Sequence, residues 1–178
     1  MKNNADRLRS IVFSAVIAAV YAGLTYISAA FGIAYGPIQF RFSEALTVLP
    51  IITPAAIPGL TVGCLLANIT SYNPVDMVFG TAATLIAALL SYALRKIKIK
   101  GCPLLSVLMP VIINGLIVGF EIAVFFSDKK ASFAIFALSA AEVALGEAAV
   151  CILLGIPLYF ALTKTNIMKT IRYDHYRQ

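Results

Sequence analysis

The stretch that decides the fold reads Leu104-Leu-Ser-Val-Leu-Met-Pro-Val-Ile-Ile-Asn-Gly-Leu-Ile-Val-Gly-Phe-Glu-Ile-Ala-Val-Phe-Phe126. It contains one charged residue, Glu121, and it is long enough to cross a bilayer, since about 20 apolar residues span the hydrocarbon core as a helix. Comparable apolar runs cover residues 11–31, 55–69, 75–94 and 133–162. Apolar residues make up 61% of the chain, whereas a soluble domain carries about 45–50%. These runs indicate an integral membrane protein.

The apolar runs predict an all-α fold, a six-helix transmembrane bundle that occupies residues 1–178 as one domain. The expected helices cover about residues 8–31, 41–52, 55–70, 75–95, 104–127 and 132–163. The second helix is too short to cross the membrane alone, because a rise of 1.5 Å per residue gives it only about 18 Å. The first apolar run is about 20 residues long, which favours a retained helix over a cleaved signal peptide.

The distribution of basic residues predicts the orientation, because cytoplasmic loops carry an excess of Lys and Arg. Eleven of the fourteen basic residues precede the first span, join the fourth to the fifth, or follow the last. They are Lys2, Arg7, Arg9, Arg95, Lys96, Lys98, Lys100, Lys164, Lys169, Arg172 and Arg177. In a six-span chain these segments share one side, so we expect a multi-pass protein with both termini cytoplasmic. The net charge of +6 then reflects topology, and nucleic acid is not an expected partner.

Several kinds of chemistry have no motif in this sequence. It lacks a Walker-type glycine-rich loop, a His-Glu-x-x-His pair and a Cys-x-x-Cys pair. The single histidine, His175, follows the last span, so no Ser-His or Cys-His nucleophile pair can form within the membrane. We therefore expect no enzyme, no cofactor and no metal site. A hydrolase that uses carboxylates alone stays open as a less favoured alternative.

Ionisable residues within or beside the apolar runs mark a candidate pocket. A charge near the centre of a spanning helix costs about 2.5–3.5 kcal/mol on insertion scales, so retained charges usually face a cavity, a partner or a pathway. A rise of 1.5 Å per residue places most of these side chains in the outer half of the bilayer. The sequence therefore predicts a pocket open to the outside. The polar candidates are Arg41, Glu44, Asn68, Asp76, Asn114, Glu121, Glu142 and Glu147.

Helical spacing orders these candidates. Asn114 and Glu121 are seven residues apart and share a face, whereas Glu142 and Glu147 cannot both point inward. Glu147 is the deeper of that pair and the better candidate for the pocket, and Glu142 is expected at the hydrated rim. Two structural alternatives stay open: a salt bridge between Arg41 and Glu44, and an N-cap role for Asp76.

The charge balance suggests the ligand. Five acidic groups meet one buried arginine, so a cationic or donor-rich solute would offset the excess negative charge. A carboxylate is also a natural acceptor for two adjacent N–H donors, such as those on a guanine-type ring edge.

Small residues on the first helix predict a protein partner. Ala15, Ala18, Ala19 and Ala22 form two overlapping Ala-x-x-x-Ala steps, a spacing that allows close approach of another helix. An external partner and internal packing are both open for this helix. For Gly59-x-x-x-Gly63 and Gly115-x-x-x-Gly119, internal packing is the favoured interpretation.

The segment Gly36-Pro-Ile-Gln-Phe-Arg-Phe-Ser-Glu-Ala-Leu-Thr-Val-Leu-Pro50 resembles the signature of the QueT family. Four further segments continue the likeness in the same order over residues 12–162. They are Pro54-Ala-Ala-Ile-Pro-Gly-Leu60, Gly63-Cys-Leu-Leu-Ala-Asn68, Asp76-Met-Val-Phe-Gly80 and Asn114-Gly-Leu-Ile-Val-Gly-Phe-Glu121, followed by Gly146-Glu147.

The resemblance implies a substrate-binding S component of an energy-coupling factor (ECF) transporter in the bacterial cell membrane. Such a subunit would capture queuine or a related deazapurine precursor and work with a transmembrane coupling subunit and two ATPases. The first-helix alanines are similar to the S-component surface that docks on the coupling subunit. The resemblance carries over these pocket residues: Gln39, Arg41, Glu44, Asn68, Asp76, Asn114, Glu121 and Glu147. An S component for another vitamin is the nearest alternative.

Overall fold

The chain forms a bundle of six helices in a computed structural model, which describes residues 4–35, 38–69, 73–127 and 130–165. The helices, in chain order, are α1 (Asn4–Ala30), a 3₁₀ helix (Phe42–Ile51), α2 (Ala56–Ile69), α3 (Pro74–Leu94), α4 (Leu104–Phe126) and α5 (Phe133–Lys164). Both α4 and α5 contain a π turn, at Ile122–Phe126 and Cys151–Gly155. No strand occurs within the described ranges, which confirms the predicted all-α class. Lys2, Gly36, Pro37, Lys169, Arg172, His175 and Arg177 lie outside those ranges.

Four of the six helices are long and apolar enough to cross a membrane, namely α1, α3, α4 and α5. The other two, the 3₁₀ helix and α2, are shorter apolar helices of 10 and 14 residues. The second helix was expected to be short, but its 3₁₀ form was not expected, because 3₁₀ runs longer than three or four residues are uncommon.

Apolar and polar residues are distributed as a lipid environment requires. Large apolar side chains cover the outside of the bundle; Phe133 and Phe31 are 82% and 72% exposed. The interior instead holds charged groups such as Arg41, Glu44 and Glu147. In water this arrangement would expose a large apolar surface, whereas lipid solvates that surface and leaves the charged groups facing the bundle interior. The chain is a multi-pass membrane protein.

The 3₁₀ helix lies at the centre of the bundle. Leu49 packs in a core cluster with Tyr21 of α1 and Leu60 of α2. Val48 and Ile51 pack in a second cluster with Val107, Cys151 and Tyr159 from α4 and α5. This short element therefore joins both halves of the core.

Glycines allow two helix pairs to approach closely. A Cβ atom at Gly63 would lie 2.9 Å from the carbonyl oxygen of Ala18 on α1, and one at Gly119 would lie 2.5 Å from the Cα atom of Ala140 on α5. Gly59 and Gly115 pack in the same way against α1 and α5. The favoured interpretation of both glycine pairs, internal packing, is confirmed.

The four alanines of α1 do not share one surface. Ala15 and Ala19 are exposed on the outside of the bundle, but Ala18 and Ala22 are buried. The prediction that all four present a docking face is wrong for Ala18 and Ala22. Each residue is turned by about 100° around the helix axis, so Ala15 and Ala19 lie on one stripe of α1 and Ala18 and Ala22 lie on the neighbouring stripe. Ala18 and Ala22 belong to the inner stripe, which packs against α2.

Candidate functional site

A cavity of about 280 Å³, which includes space open to solvent, lies between the 3₁₀ helix, α3, α4 and α5. Its wall includes five of the eight predicted pocket residues. The lining residues are Gln39, Arg41, Glu44, Gly80, Thr84, Asn114, Val118, Val143 and Glu147.

Four side-chain and backbone groups hold Arg41 in place at the start of the 3₁₀ helix. Its Nη2 atom lies 3.6 Å from Oδ2 of Asp76, and its Nη1 atom donates to Oδ1 of Asn68 at 3.3 Å. Its Nε atom donates to the carbonyl oxygen of Ala34 at 3.3 Å, and the guanidinium carbon lies 5.1 Å from the centroid of the Tyr35 ring. Asp76 and Asn68 thus fix the arginine from beside the cavity.

Glu44 is held from the opposite side by α1. The hydroxyl group of Tyr21, which is fully buried, donates to Oε1 of Glu44. One and two turns further along the same face, Thr25 donates to the Ser43 hydroxyl at 2.7 Å and the Ser28 hydroxyl accepts from the Phe42 amide at 2.9 Å. This row of polar residues on α1 fixes the start of the 3₁₀ helix, and with it one oxygen of Glu44.

Glu147 is the second carboxylate of the cavity wall. Its Oε1 atom accepts from the Asn114 amide nitrogen at 2.7 Å, which joins α5 to α4. Glu142 is half-buried and does not line the cavity. Glu44 and Glu147 both line it and bring two carboxyl groups into one wall.

Glu121 is buried but stands apart from the cavity. It is 1% exposed, it is absent from the cavity wall, and its Oε2 atom has no hydrogen-bond partner among the described residues. The π turn of α4 begins at the next residue, Ile122. Although Glu121 and Asn114 share a helical face, only Asn114 reaches the cavity.

Two structural alternatives from the sequence are wrong. Arg41 pairs with Asp76 instead of Glu44, because Glu44 is already engaged by Tyr21. Asp76 is not the N-cap of α3, because Asn73 occupies that position and its side chain accepts from the Val75 amide at 3.0 Å.

Sequence reasoning missed five residues that shape the site: Tyr21, Gly80, Thr84, Val118 and Val143. A helical signal was available for four of them. Gly80 and Thr84 lie four and eight residues after Asp76, Val118 lies four after Asn114, and Val143 lies four before Glu147. Residues four apart stack on one helix face, so each extends a row that already carried a polar candidate.

The site is acidic and closely packed. Among the described residues, two carboxylates line the cavity, and the one cationic side chain in its wall, Arg41, is already paired with a third carboxylate, Asp76. No group of three or more His, Cys, Asp or Glu side chains able to hold a metal ion occurs in the part of the chain that the structure describes. The arrangement can accept hydrogen bonds from a ligand and can offset positive charge.

Comparisons with known proteins agree with this architecture. The family model described as QueT transporter matches residues 11–164. The queuosine precursor transporter QueT of Lactococcus lactis subsp. cremoris (strain MG1363) is 40% identical over 76 residues, which cover 43% of this chain and 45% of that protein. The alignment thus spans less than half the length of that relative. No solved structure matches the chain. Because the family model covers most of the sequence, the chain belongs to the QueT transporter family, a family of membrane transporters and not of enzymes.

Proposed function

We propose that the chain is the substrate-binding S component of an ATP-driven ECF importer and that it captures a 7-deazaguanine-type precursor of queuosine. The observation that carries this proposal is the acidic cavity inside a QueT-family bundle. The printed name of the Lactococcus relative supports the substrate class, since that protein is called a queuosine precursor transporter.

The charges around the cavity fit such a ligand. Arg41 is paired with Asp76, so Glu44 and Glu147 have no cation of their own in the cavity wall. Burying a carboxylate is costly unless it is paired or hydrogen-bonded. A base with several N–H donors, or one that carries an amine, would supply these partners, whereas an anionic ligand would add to the repulsion. Gln39 and Asn114 provide neutral polar contacts.

The same residues divide into two roles in this proposal. Gln39, Arg41, Glu44, Asn114 and Glu147 contact the ligand, because they line the cavity. Asn68 and Asp76 position Arg41 from behind. Glu121 lies outside the cavity wall and is not assigned a ligand contact.

Energy for transport would come from partners. The sequence has no nucleotide-binding motif, so we assign ATP hydrolysis to two ATPase subunits and their connection to a transmembrane coupling subunit. The exposed stripe with Ala15 and Ala19 on α1 is the proposed docking surface, since small residues permit close helix approach. Both termini would lie in the cytoplasm of a bacterial cell, because the basic segments then share that side.

Binding by the detergent-solubilised chain tests this function directly. Calorimetric titration with queuine and with 7-deazaguanine should give saturable binding, and adenine should bind at least about tenfold more weakly, since its ring edge places an acceptor toward the carboxylates. Mass spectrometry of small molecules that co-purify with the protein provides an independent measurement. Equal binding of adenine and the deazapurines, or binding of none of them, would contradict the proposed function.

A further inference from the structure

One donor and one acceptor in the cavity wall lack hydrogen-bond partners. Nη2 of Arg41 and Oε2 of Glu44 are both buried without a hydrogen bond to any described residue. The two side chains are 7% and 2% exposed, and both line the cavity. Buried polar atoms in folded proteins are nearly always hydrogen-bonded, and Nη2 has only its 3.6 Å ion pair with Asp76. Both atoms can therefore take a hydrogen bond from a ligand.

The 3₁₀ helix explains why the two residues lie together. The amide of Glu44 donates to the carbonyl oxygen of Arg41 at 3.0 Å, which places the residues one 3₁₀ turn apart. Arg41 itself is the N-cap of the 3₁₀ helix and has an extended backbone, so this hydrogen bond, and not helical periodicity, keeps the two residues together. Arg41 and Glu44 nevertheless do not bond to each other, because Asp76 holds the arginine and Tyr21 holds the glutamate.

We propose that Arg41 and Glu44 together recognise a ring lactam, a carbonyl group directly next to an N–H group in the same ring. Nη2 of Arg41 donates to the carbonyl oxygen and Oε2 of Glu44 accepts from the neighbouring N–H. Tyr21 is a positioning residue, since its hydroxyl group fixes the other oxygen of Glu44 without lining the cavity. This inference rests on the proposed function and names the part of the ligand that is recognised.

Two bases that differ only at this edge provide the test in wild-type protein. 7-Deazaguanine carries the lactam, whereas 2,6-diamino-7-deazapurine replaces the carbonyl with an amino group and leaves its ring nitrogen without a hydrogen. In the second base, the amino group would face the Arg41 donor, and the unprotonated ring nitrogen would face the Glu44 acceptor. Neither pair can form a hydrogen bond. Calorimetric titration should show at least about a hundredfold preference for 7-deazaguanine, because each mismatched buried contact costs about tenfold.

Three variants assign the preference to these residues. Glu44→Gln should reduce the preference for 7-deazaguanine to less than about tenfold, because the glutamine amide can both donate and accept and so can bond to either base. Tyr21→Phe keeps the ring and removes the hydroxyl group, and should weaken the preference by about three- to tenfold. Thr25→Val is the matched control: it removes the neighbouring bond to Ser43 on the same face of α1, but it does not touch Glu44. The preference of the Thr25→Val variant for 7-deazaguanine should stay within about twofold of the wild-type preference.

The outcomes separate this inference from the proposed function. Tight binding of both bases by the wild type, or an unchanged preference in Glu44→Gln, would overturn the lactam assignment while the proposed function stands. An equal loss of preference in Thr25→Val and Tyr21→Phe would overturn the positioning role of Tyr21. If 7-deazaguanine does not bind the wild type at all, the proposed function itself fails.

Discussion

Glu147 and Glu121 are buried carboxylates on neighbouring helices, but their surroundings differ. Glu147 lines the cavity with one oxygen fixed by Asn114, whereas Glu121 lies outside the wall beside the π turn of α4. An anchored carboxylate that faces a cavity is pre-organised for a ligand, since its orientation is set before binding. Depth in the membrane is therefore a poorer guide to a residue's role than the face it presents.

Replacing Glu147 with glutamine is predicted to weaken binding of 7-deazaguanine by about ten- to a hundredfold, or about 1.4–2.8 kcal/mol. The substitution removes the charge, and charge-assisted hydrogen bonds are about twice as strong as neutral ones. Calorimetric titration measures the change. Glu142→Gln is the matched control on the same helix. Because Glu142 does not line the cavity, this variant should bind 7-deazaguanine with an affinity within about threefold of wild type.

Glu121→Gln is predicted to leave the affinity within about threefold of wild type, because Glu121 does not line the cavity. The same titration measures it, with Glu147→Gln as the positive control. A loss of tenfold or more in Glu121→Gln, in a variant that melts at the wild-type temperature, would place this carboxylate in the ligand site after all.

Individual polar residues were found from the sequence, but their pairing was not. Charged and polar residues within apolar runs identified Arg41, Glu44, Asn114 and Glu147, because such groups are expensive in lipid. The partner of Arg41 could not be predicted, since Asp76 is distant in the sequence and approaches only after α3 packs against the 3₁₀ helix. Tyr21 gave no signal, because a tyrosine in an apolar helix is common at membrane interfaces.

The 3₁₀ helix, at the scale of one element, brings Glu44 to the cavity wall directly after its N-cap residue, Arg41. The sequence indicated a short helix here but not its type, since helical periodicity is judged against 3.6 residues per turn.

Gly146 on α5 supports the segment that leads into the 3₁₀ helix. A Cβ atom there would collide with the carbonyl oxygen of Gln39, so Gly146→Ala must displace that segment from α5. We predict a destabilisation of about 1–3 kcal/mol and weaker ligand binding, measured by thermal unfolding and titration. Gly23→Ala is the control, because a Cβ atom at Gly23 meets nothing within 4 Å. Wild-type behaviour of both variants would contradict the close contact.

The outer stripe of α1 is predicted to matter for uptake but not for binding. Replacing Ala15 and Ala19 with leucine adds volume on the outside of the bundle, where the coupling subunit would approach. Uptake by the assembled transporter should fall, while the isolated chain should keep its ligand affinity. Ala82→Leu, at an exposed position of α3, is the control. Unchanged assembly in pull-downs of the double variant would count against this docking surface.

For the whole molecule, the cavity and the second core cluster occupy different regions of the bundle. The cavity lies between α3, α4 and α5, while Val107, Cys151 and Tyr159 pack together with Val48 and Ile51. This second cluster is apolar and offers a polar solute no hydrogen-bonding side chain other than the Tyr159 hydroxyl and the Cys151 thiol. We therefore expect a bound solute to pass it only after the bundle rearranges.

The isolated chain is predicted to bind its ligand without transporting it. Purified protein in sealed vesicles should accumulate no more labelled 7-deazaguanine than protein-free vesicles, because the sequence carries no Walker-type nucleotide-binding motif and the proposed ATPases are absent. Co-reconstitution with the coupling subunit, two ATPases and ATP should restore uptake. Rapid uptake by the chain alone would contradict this assignment of roles.

The central position of the 3₁₀ helix also constrains biogenesis. Nearly all of its residues are buried, and two of its main partners, Cys151 and Tyr159, are synthesised about a hundred residues later. Glu44 can be engaged early, because Tyr21 of α1 is synthesised before it. The packing of Val48 and Ile51 is completed only when α5 arrives. We therefore expect nascent chains that stop after α4 to leave this segment incompletely packed.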